Sequence, residues 1–257
     1  MSRRRFLQTT GAAAIWLPGS VRGYSASEVQ AFYVDGEMQQ DVSKWELDTP
    51  SLCVDLDALE ANIAKMQDTT SRNGIASRPH AKTHKTPVIA HMQLNSGSIG
   101  ICVAKVSEAE AMFQNGVDKL LLTTTNVTAT KIRRAMNLRE RCEGFVQATD
   151  SAENAALLSE AAVSMNIMAD VVVDVDPGGN RTGITQGQPA LELAQLVDRL
   201  PGLRLRGLLC YDGGSQHVKG FEQRKSQTLG RLVGASETYD LFNKSGLNTE
   251  IFSGGGT

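Results

Sequence analysis

The 257 residues carry 26 Lys+Arg against 28 Asp+Glu, and the first 26 positions hold four arginines and no acid, so the remainder is mildly acidic. That balance excludes the basic footprint of nucleic-acid or anionic-membrane binding. Four cysteines without a Cys-x-x-Cys pair, three of them in apolar strand-like runs, read as buried thiols, not as a disulfide or metal framework.

In chain order, Ser2-Arg3-Arg4-Arg5-Phe6-Leu7-Gln8 fits a twin-arginine export pattern. The apolar run Gly11–Leu17 behind it is too short to span a bilayer. Residues 1–26 therefore read as a signal peptide, which predicts the twin-arginine translocase as a partner, a periplasmic location and no stable membrane insertion. Residues 27–48 are polar and irregular. From Ser51 a rhythm of short β-rich run, turn and amphipathic helix begins. Strands are expected at Leu52–Leu56, Ser77–Lys82, Ile99–Ala104, Lys119–Thr124, Phe145–Thr149, Ala169–Asp176, Leu203–Tyr211 and Glu250–Ser253. Helices fall between them, near Asp57–Met66, from Ser107, at Thr128–Asn137, Asp150–Met165, Pro189–Leu200 and Val218–Asn243. Asp57 with Glu60, and Ser107 with Glu110, have the spacing of a capping box. Such alternation means a parallel sheet with crossover helices, and apolar strands buried on both faces. A closed (β/α)8 barrel or an open doubly wound sheet satisfies it.

The densest chemistry lies in Arg78-Pro79-His80-Ala81-Lys82-Thr83-His84-Lys85, which holds two of the four histidines. In a strand, His80, Lys82 and His84 face one way and Lys85 the other. An amine between two imidazoles and partly out of water loses its proton more readily, which suits a nucleophilic lysine. Gly254-Gly255-Gly256-Thr257 has the form of an anion loop, whose backbone N–H groups converge where no Cβ intervenes.

The segment from Arg78 to Lys85 resembles the pyridoxal-phosphate lysine motif of the D-threonine aldolase and D-serine dehydratase family, whose barrel is that of alanine racemase. Three further segments resemble it in the family's order: Asp174–Gly183, with its Gly-x-x-Arg-x-Gly type of turn; Gly207–His217; and Ser253–Thr257. The stretch Thr49–Ile63 is similar to its opening strand and helix. The likeness runs from about Thr49 to Thr257, so residues 49–257 are expected to form a barrel domain of the alanine racemase type.

The resemblance implies pyridoxal 5'-phosphate as cofactor, bound by Lys82, Arg181, Tyr211, Gly254, Gly255, Gly256 and Thr257. It implies Lys82 as the cofactor lysine, with His80 and His84 as its catalytic neighbours. Asp174 and Asp176 are expected to orient Arg181 or cap its turn. Asp212 stands where the aldolases usually show histidine. His217 is read as a base or a structural donor, and His91 has no role. Counting from Ser77, seven barrel strands are present, and the chain stops inside the glycine run. The sequence is therefore read as a C-terminally truncated member without the last strand and the β-rich domain. With them would be missing the ligands of a divalent metal, manganese or zinc, so no metal residues are assigned. The implied activity is retro-aldol cleavage of a D-3-hydroxy amino acid to glycine and an aldehyde. The alternatives are a D-serine or 3-hydroxyaspartate dehydratase, an amino-acid racemase, and a non-enzymatic pyridoxal-phosphate binder or inactive remnant. A homodimer is expected by analogy.

Overall fold

The computed structural model describes residues 23–34 and 37–255. The leader falls almost wholly outside the described residues, as do Gly256 and Thr257 of the glycine run. The chain divides into two compact units at Lys65 and Met66.

In the first unit, α1 (Ala26–Ala31) opens on a reciprocal cap: Ser25 Oγ accepts from the Glu28 amide, and the Glu28 carboxylate accepts from the Ser25 amide. Tyr33–Val34 (β1) and Glu37–Met38 (β2) pair antiparallel, and a 3-10 turn follows at Lys44–Glu46. The stretch expected to be irregular is thus locally ordered. The strand expected at Leu52–Leu56 does not form. Residues 51–55 lie in no ladder, Leu52 is fully exposed, and α2 (Leu56–Arg72) begins at Leu56. An isolated β-run needs a neighbour for its backbone groups, and among the described residues it has none. The cap is Asp55, whose Oδ1 accepts from the Ala58 amide at 3.0 Å, and not Asp57.

The second unit follows the strand–helix rhythm. Its elements are α3 (Pro87–Asn95), β3 (Ile101–Val103), α4 (Val106–Gln114), β4 (Leu120–Leu122), α5 (Ala129–Arg141), β5 (Phe145–Thr149), α6 (Ala152–Ser164), β6 (Ala169–Asp176), β7 (Ile184–Thr185), α7 (Gln188–Arg199), β8 (Leu203–Tyr211), α8 (Phe221–Lys244) and β9 (Ile251–Gly255). The long strands run parallel in the order β3, β4, β5, β6, β8, β9, and β7 adds to the end of β6. Ser151 caps α6 in place of the expected Asp150. Helix α4 has no side-chain cap, so the Ser107–Glu110 box is not made.

The expected strand Ser77–Lys82 is reduced to a single bridge, His80 to Cys102, ahead of β3. Its backbone still tracks that neighbour: Ile99 N–H donates to Ser77 O, Cys102 N–H to Pro79 O, and Ala81 N–H to Cys102 O. The ladder fails between these bonds because Pro79 has no N–H to give. After Ala81 the chain turns, and Lys85 N–H bonds back to Ala81 O at 2.8 Å.

The sheet is curled. Counting the His80 segment as the first strand, β8 lies five strands away, about 24 Å across a flat sheet. Yet the Lys82 ammonium is 5.1 Å from the centre of the Tyr211 ring at the end of β8. Cys102, Leu121, Val146, Ala148, Val172, Leu209 and Ile251 fill the inner face. Two larger apolar clusters lie between the outer face and the helices, one around Val171, Val173, Leu205 and Phe242, the other around Ile101, Leu120, Leu138 and Phe145. Six consecutive parallel strands, with the bridged His80 segment ahead of them, thus form a curled α/β sheet of the barrel type that the resemblance implies.

One irregularity sets the inner face of β8. The register with β6 shifts between Val171 and Val172, so Arg204 lies beside Asp170 but Gly207 beside Val172. The extra residue is a β-bulge. Gly207 takes φ +130° there, and a Cβ on it would collide with the Ile251 backbone. At the strands' N-terminal ends, Asp170, with a fully buried side chain, receives Arg204 Nε at 2.5 Å and Arg206 Nη1 at 2.5 Å, with Arg139 Nη2 at 3.7 Å.

Candidate active site

Parallel strands of a barrel deliver their last residues to one mouth, and functional groups collect there. His80, Asp174, Asp176, Tyr211, Gly254 and Gly255 all lie at that end, with Lys82 and Arg181 on the loops just beyond.

Tyr211 ends β8 half-buried, and its ring receives two cations. Lys82 Nζ lies 5.1 Å from the ring centre, and the Arg181 guanidinium carbon also 5.1 Å. Both cations are exposed, so charge and aromatic surface are presented together to solvent. Lys82 is more open than the sequence suggests, because it stands on the turn after the His80 bridge and not inside a strand. Lys85 points elsewhere: its backbone is left-handed, with φ 53°, and its ammonium lies 3.9 Å from Glu108.

His80 fixes the turn that carries Lys82. Its Nδ1 accepts from the Lys82 amide at 3.1 Å, which puts the ring proton on Nε2, 3.2 Å from Thr123 Oγ1. The Thr123 hydroxyl in turn donates to Val103 O. Burial, and then the Lys82 charge, push the imidazole down to about 4, so it is neutral at pH 7. His84 faces the start of α3. Its Nδ1 accepts from the Thr86 amide at 3.2 Å, its Nε2 is buried, and burial lowers its affinity for a proton.

Arg181 rides on the loop between β6 and β7. Asp176 gathers that loop with its carboxylate, which accepts from the amides of Gly178, Gly179 and Asn180 at 2.7–3.2 Å. Asp174 lies buried beneath it. Burial raises the Asp174 carboxyl to about 6; Asp150 and Asp176 add to the rise, and Thr182 and Arg181 oppose it. Thr123, Asp150 and Thr182 carry no sequence signal of their own, because each depends on which strands become neighbours.

The Asp212 carboxylate turns toward α8. Its Oδ1 takes the Gly214 and Ser215 amides and Arg231 Nη1 at 2.7 Å, while Oδ2 is buried without a partner. Burial opposes its ionisation, but hydrogen bonds from Ser215 and Arg231 prevail and hold it below the usual carboxylate range. Its amide ties the mouth to β9 by donating to Gly255 O at 2.8 Å. His217 is exposed on the 3-10 turn Ser215–His217.

The glycines expected as a loop after β9 continue the strand: Gly254 pairs with Cys210 and Gly255 with Tyr211. A Cβ on Gly254 would overlap Cys210 O, so the backbone lies closer to β8 than any other residue would allow. Among the described residues, no three His, Cys, Asp or Glu side chains gather as metal ligands would. No described helix is long and apolar enough to cross a membrane.

A planar, anionic ligand suits this mouth, with two cations at an aromatic ring and close glycine backbone beside it. The same fold occurs in a crystal structure of D-threonine aldolase from Filomicrobium marinum, with a TM-score of 0.78 and 37% identity, covering 81% of this chain and 56% of that one. A 3-hydroxy-D-aspartate aldolase of Paracoccus denitrificans is 36% identical over 213 residues, 82% of this chain and 55% of the relative. A D-threo-3-hydroxyaspartate dehydratase of Delftia sp. is 29% identical over 214 residues, 82% and 56% of the two chains. The chain thus spans about half the length of the curated relatives it matches. Residues 54–257 match the family model described as alanine racemase, N-terminal domain, and the chain belongs to that family.

Proposed function

We propose that this chain forms the pyridoxal-phosphate-binding part of a lyase that cleaves D-3-hydroxy amino acids between Cα and Cβ, as a D-threonine aldolase does, giving glycine and an aldehyde. The observation that carries the reading is the convergence on the Tyr211 ring of Lys82, from the far edge of the sheet, and Arg181, from the loop after the neighbouring strand β6. The residues fit the cofactor: an amine for its aldehyde, an aromatic face for its ring, a guanidinium for its anionic oxygens, and glycine backbone for its phosphate. When bound, pyridoxal phosphate supplies the electron sink for the bond broken at Cα.

The chain's own groups do the rest. Lys82 brings the attaching amine to the mouth. His80, neutral at pH 7, holds the Lys82 amide at Nδ1 and keeps its proton at Nε2 against Thr123. It therefore adds no positive charge beside the amine and remains able to hold or pass a proton. Arg181 orients carboxylate or phenolic oxygens in a fixed plane. Gly256 and Thr257, expected to join the phosphate-binding residues, lie outside the described residues. The leader at Ser2–Gln8 makes export by the twin-arginine translocase to the periplasm part of the same reading.

Pyridoxal phosphate added to the full chain should give a new visible absorbance band, lost in Lys82→Ala and kept in Lys85→Ala. A band that survives in Lys82→Ala, or is absent from the wild type, refutes the assignment. The similarity to a dehydratase favours a second reading, loss of the β-hydroxyl to give a keto acid and ammonia. Products from D-threonine and D-serine, with and without manganese, distinguish the two.

A further inference from the structure

We propose that Arg231 is a positioning residue for the Tyr211 ring, acting through Asp212 and the turn that Asp212 closes. The inference rests on the reading that the Tyr211 ring carries the cofactor. Arg231 sits in the middle of α8, where its backbone carbonyl accepts from Gln186 Nε2 at 3.3 Å. Its side chain reaches back to the residue that follows Tyr211: Nη1 lies 2.7 Å from Asp212 Oδ1. The same oxygen accepts from the amides of Gly214 and Ser215, at 3.2 and 3.3 Å. One buried atom therefore holds the turn closed and ties it to the helix. On the other side of the turn, the Asp212 amide donates to Gly255 O at 2.8 Å.

Two glycines carry this contact to the ring. A Cβ on Gly213 would lie 2.9 Å from Tyr211 Cε1, so the backbone of the turn is pressed against the ring edge. A Cβ on Gly214 would lie 2.5 Å from Arg231 Nη1, so the guanidinium fills the space of a missing side chain. Gly214 has φ −86°, which any residue adopts, so its backbone does not call for glycine and the passage of the arginine does. The ring is not held by its own hydroxyl, which has no hydrogen-bond partner among the described residues. Lys82 and Arg181 meet it only through exposed side chains, which leaves the turn to set its tilt. Asp212 Oδ2 is buried without a partner. A pair kept for stability alone would turn both oxygens to the guanidinium and avoid that cost.

The test is a double-mutant cycle on the full chain, read by pyridoxal phosphate titration and by near-ultraviolet circular dichroism of the unliganded protein, which reports tyrosine orientation. Arg231→Gln should change the dichroism and weaken pyridoxal phosphate binding about tenfold. If Arg231 acts through the ring, adding Arg231→Gln to Tyr211→Leu should change neither readout further. Gly214→Ala displaces the guanidinium without removing a charge, so it should reproduce Arg231→Gln and add nothing to it. Additive losses in the Arg231→Gln, Tyr211→Leu double variant overturn the proposal, as does a Gly214→Ala chain with wild-type dichroism and affinity. Should Arg231→Gln fail to fold, Gly214→Ala, alone and with Tyr211→Leu, decides the cycle. If wild type binds no pyridoxal phosphate, the functional reading fails, while the dichroism alone still judges whether Arg231 sets the ring.

Discussion

Lys82 and Lys85 are chemically alike and three positions apart, yet only Lys82 meets Tyr211. Alternation along a strand separates them on paper. In the fold they are separated by a turn, with Lys85 left-handed and drawn to Glu108. The titrating groups at this scale oppose each other. Asp174 keeps a proton up to about pH 6 in the folded chain, where an unconstrained aspartate gives it up near 4. Its contribution is therefore present at low pH and lost as pH rises through that window, by on the order of 3 kcal/mol. His80, held down at about 4, does the reverse: its contribution is present above 6.5 and lost as pH falls toward 4. Asp174→Asn deletes the first effect and leaves the second. In urea unfolding from pH 4 to pH 7, that variant should gain on wild type as pH rises, by roughly 3 kcal/mol in all. A difference between the two that stays constant over this range would rule the assignment out.

At the scale of elements, β5, β6 and β8 have the bounds their sequences announce, because each is an apolar run buried on both faces. Strands β3 and β4 are shorter than expected, three residues each, since their ladder extends only from Ile101 to Val103. Caps moved by a residue or two, from Asp57 to Asp55 and from Asp150 to Ser151, and local pattern does not rank such near neighbours. The bulge at Arg206–Gly207 was not legible at all. Strict alternation from Arg204 sends Tyr211 outward to the helices, and the extra residue turns it to the inner face. Resemblance supplied Tyr211 as a site residue; the physical reason it faces the mouth is this bulge. The adjoining strand is equally constrained. Gly254→Ala should push β9 away from Cys210, lower stability by about 2 kcal/mol and weaken cofactor affinity, as thermal unfolding and absorbance titration would show. Wild-type values in both would mean that the close approach is not required.

For the molecule as a whole, strand–helix alternation and apolar strands made a parallel sheet legible, while closure rested on resemblance, because no local pattern distinguishes a curled sheet from an open one. The two ends of the strands carry different burdens. The mouth exposes its cations, whereas the N-terminal end locks them onto Asp170. Asp170→Asn would leave Arg204, Arg206 and Arg139 facing a neutral amide in a partly buried site. It should cost about 3 kcal/mol in urea unfolding while leaving the mouth's absorbance band in place. A loss well under 1 kcal/mol would show that water satisfies these arginines.

The distance that curling abolishes, between the first segment and β8, has a consequence for any ligand seated there. A molecule attached at one rim and cradled at the other acts as a staple across the ring. Its concentration then enters the folding equilibrium directly, and the chain should melt later the more of it is supplied.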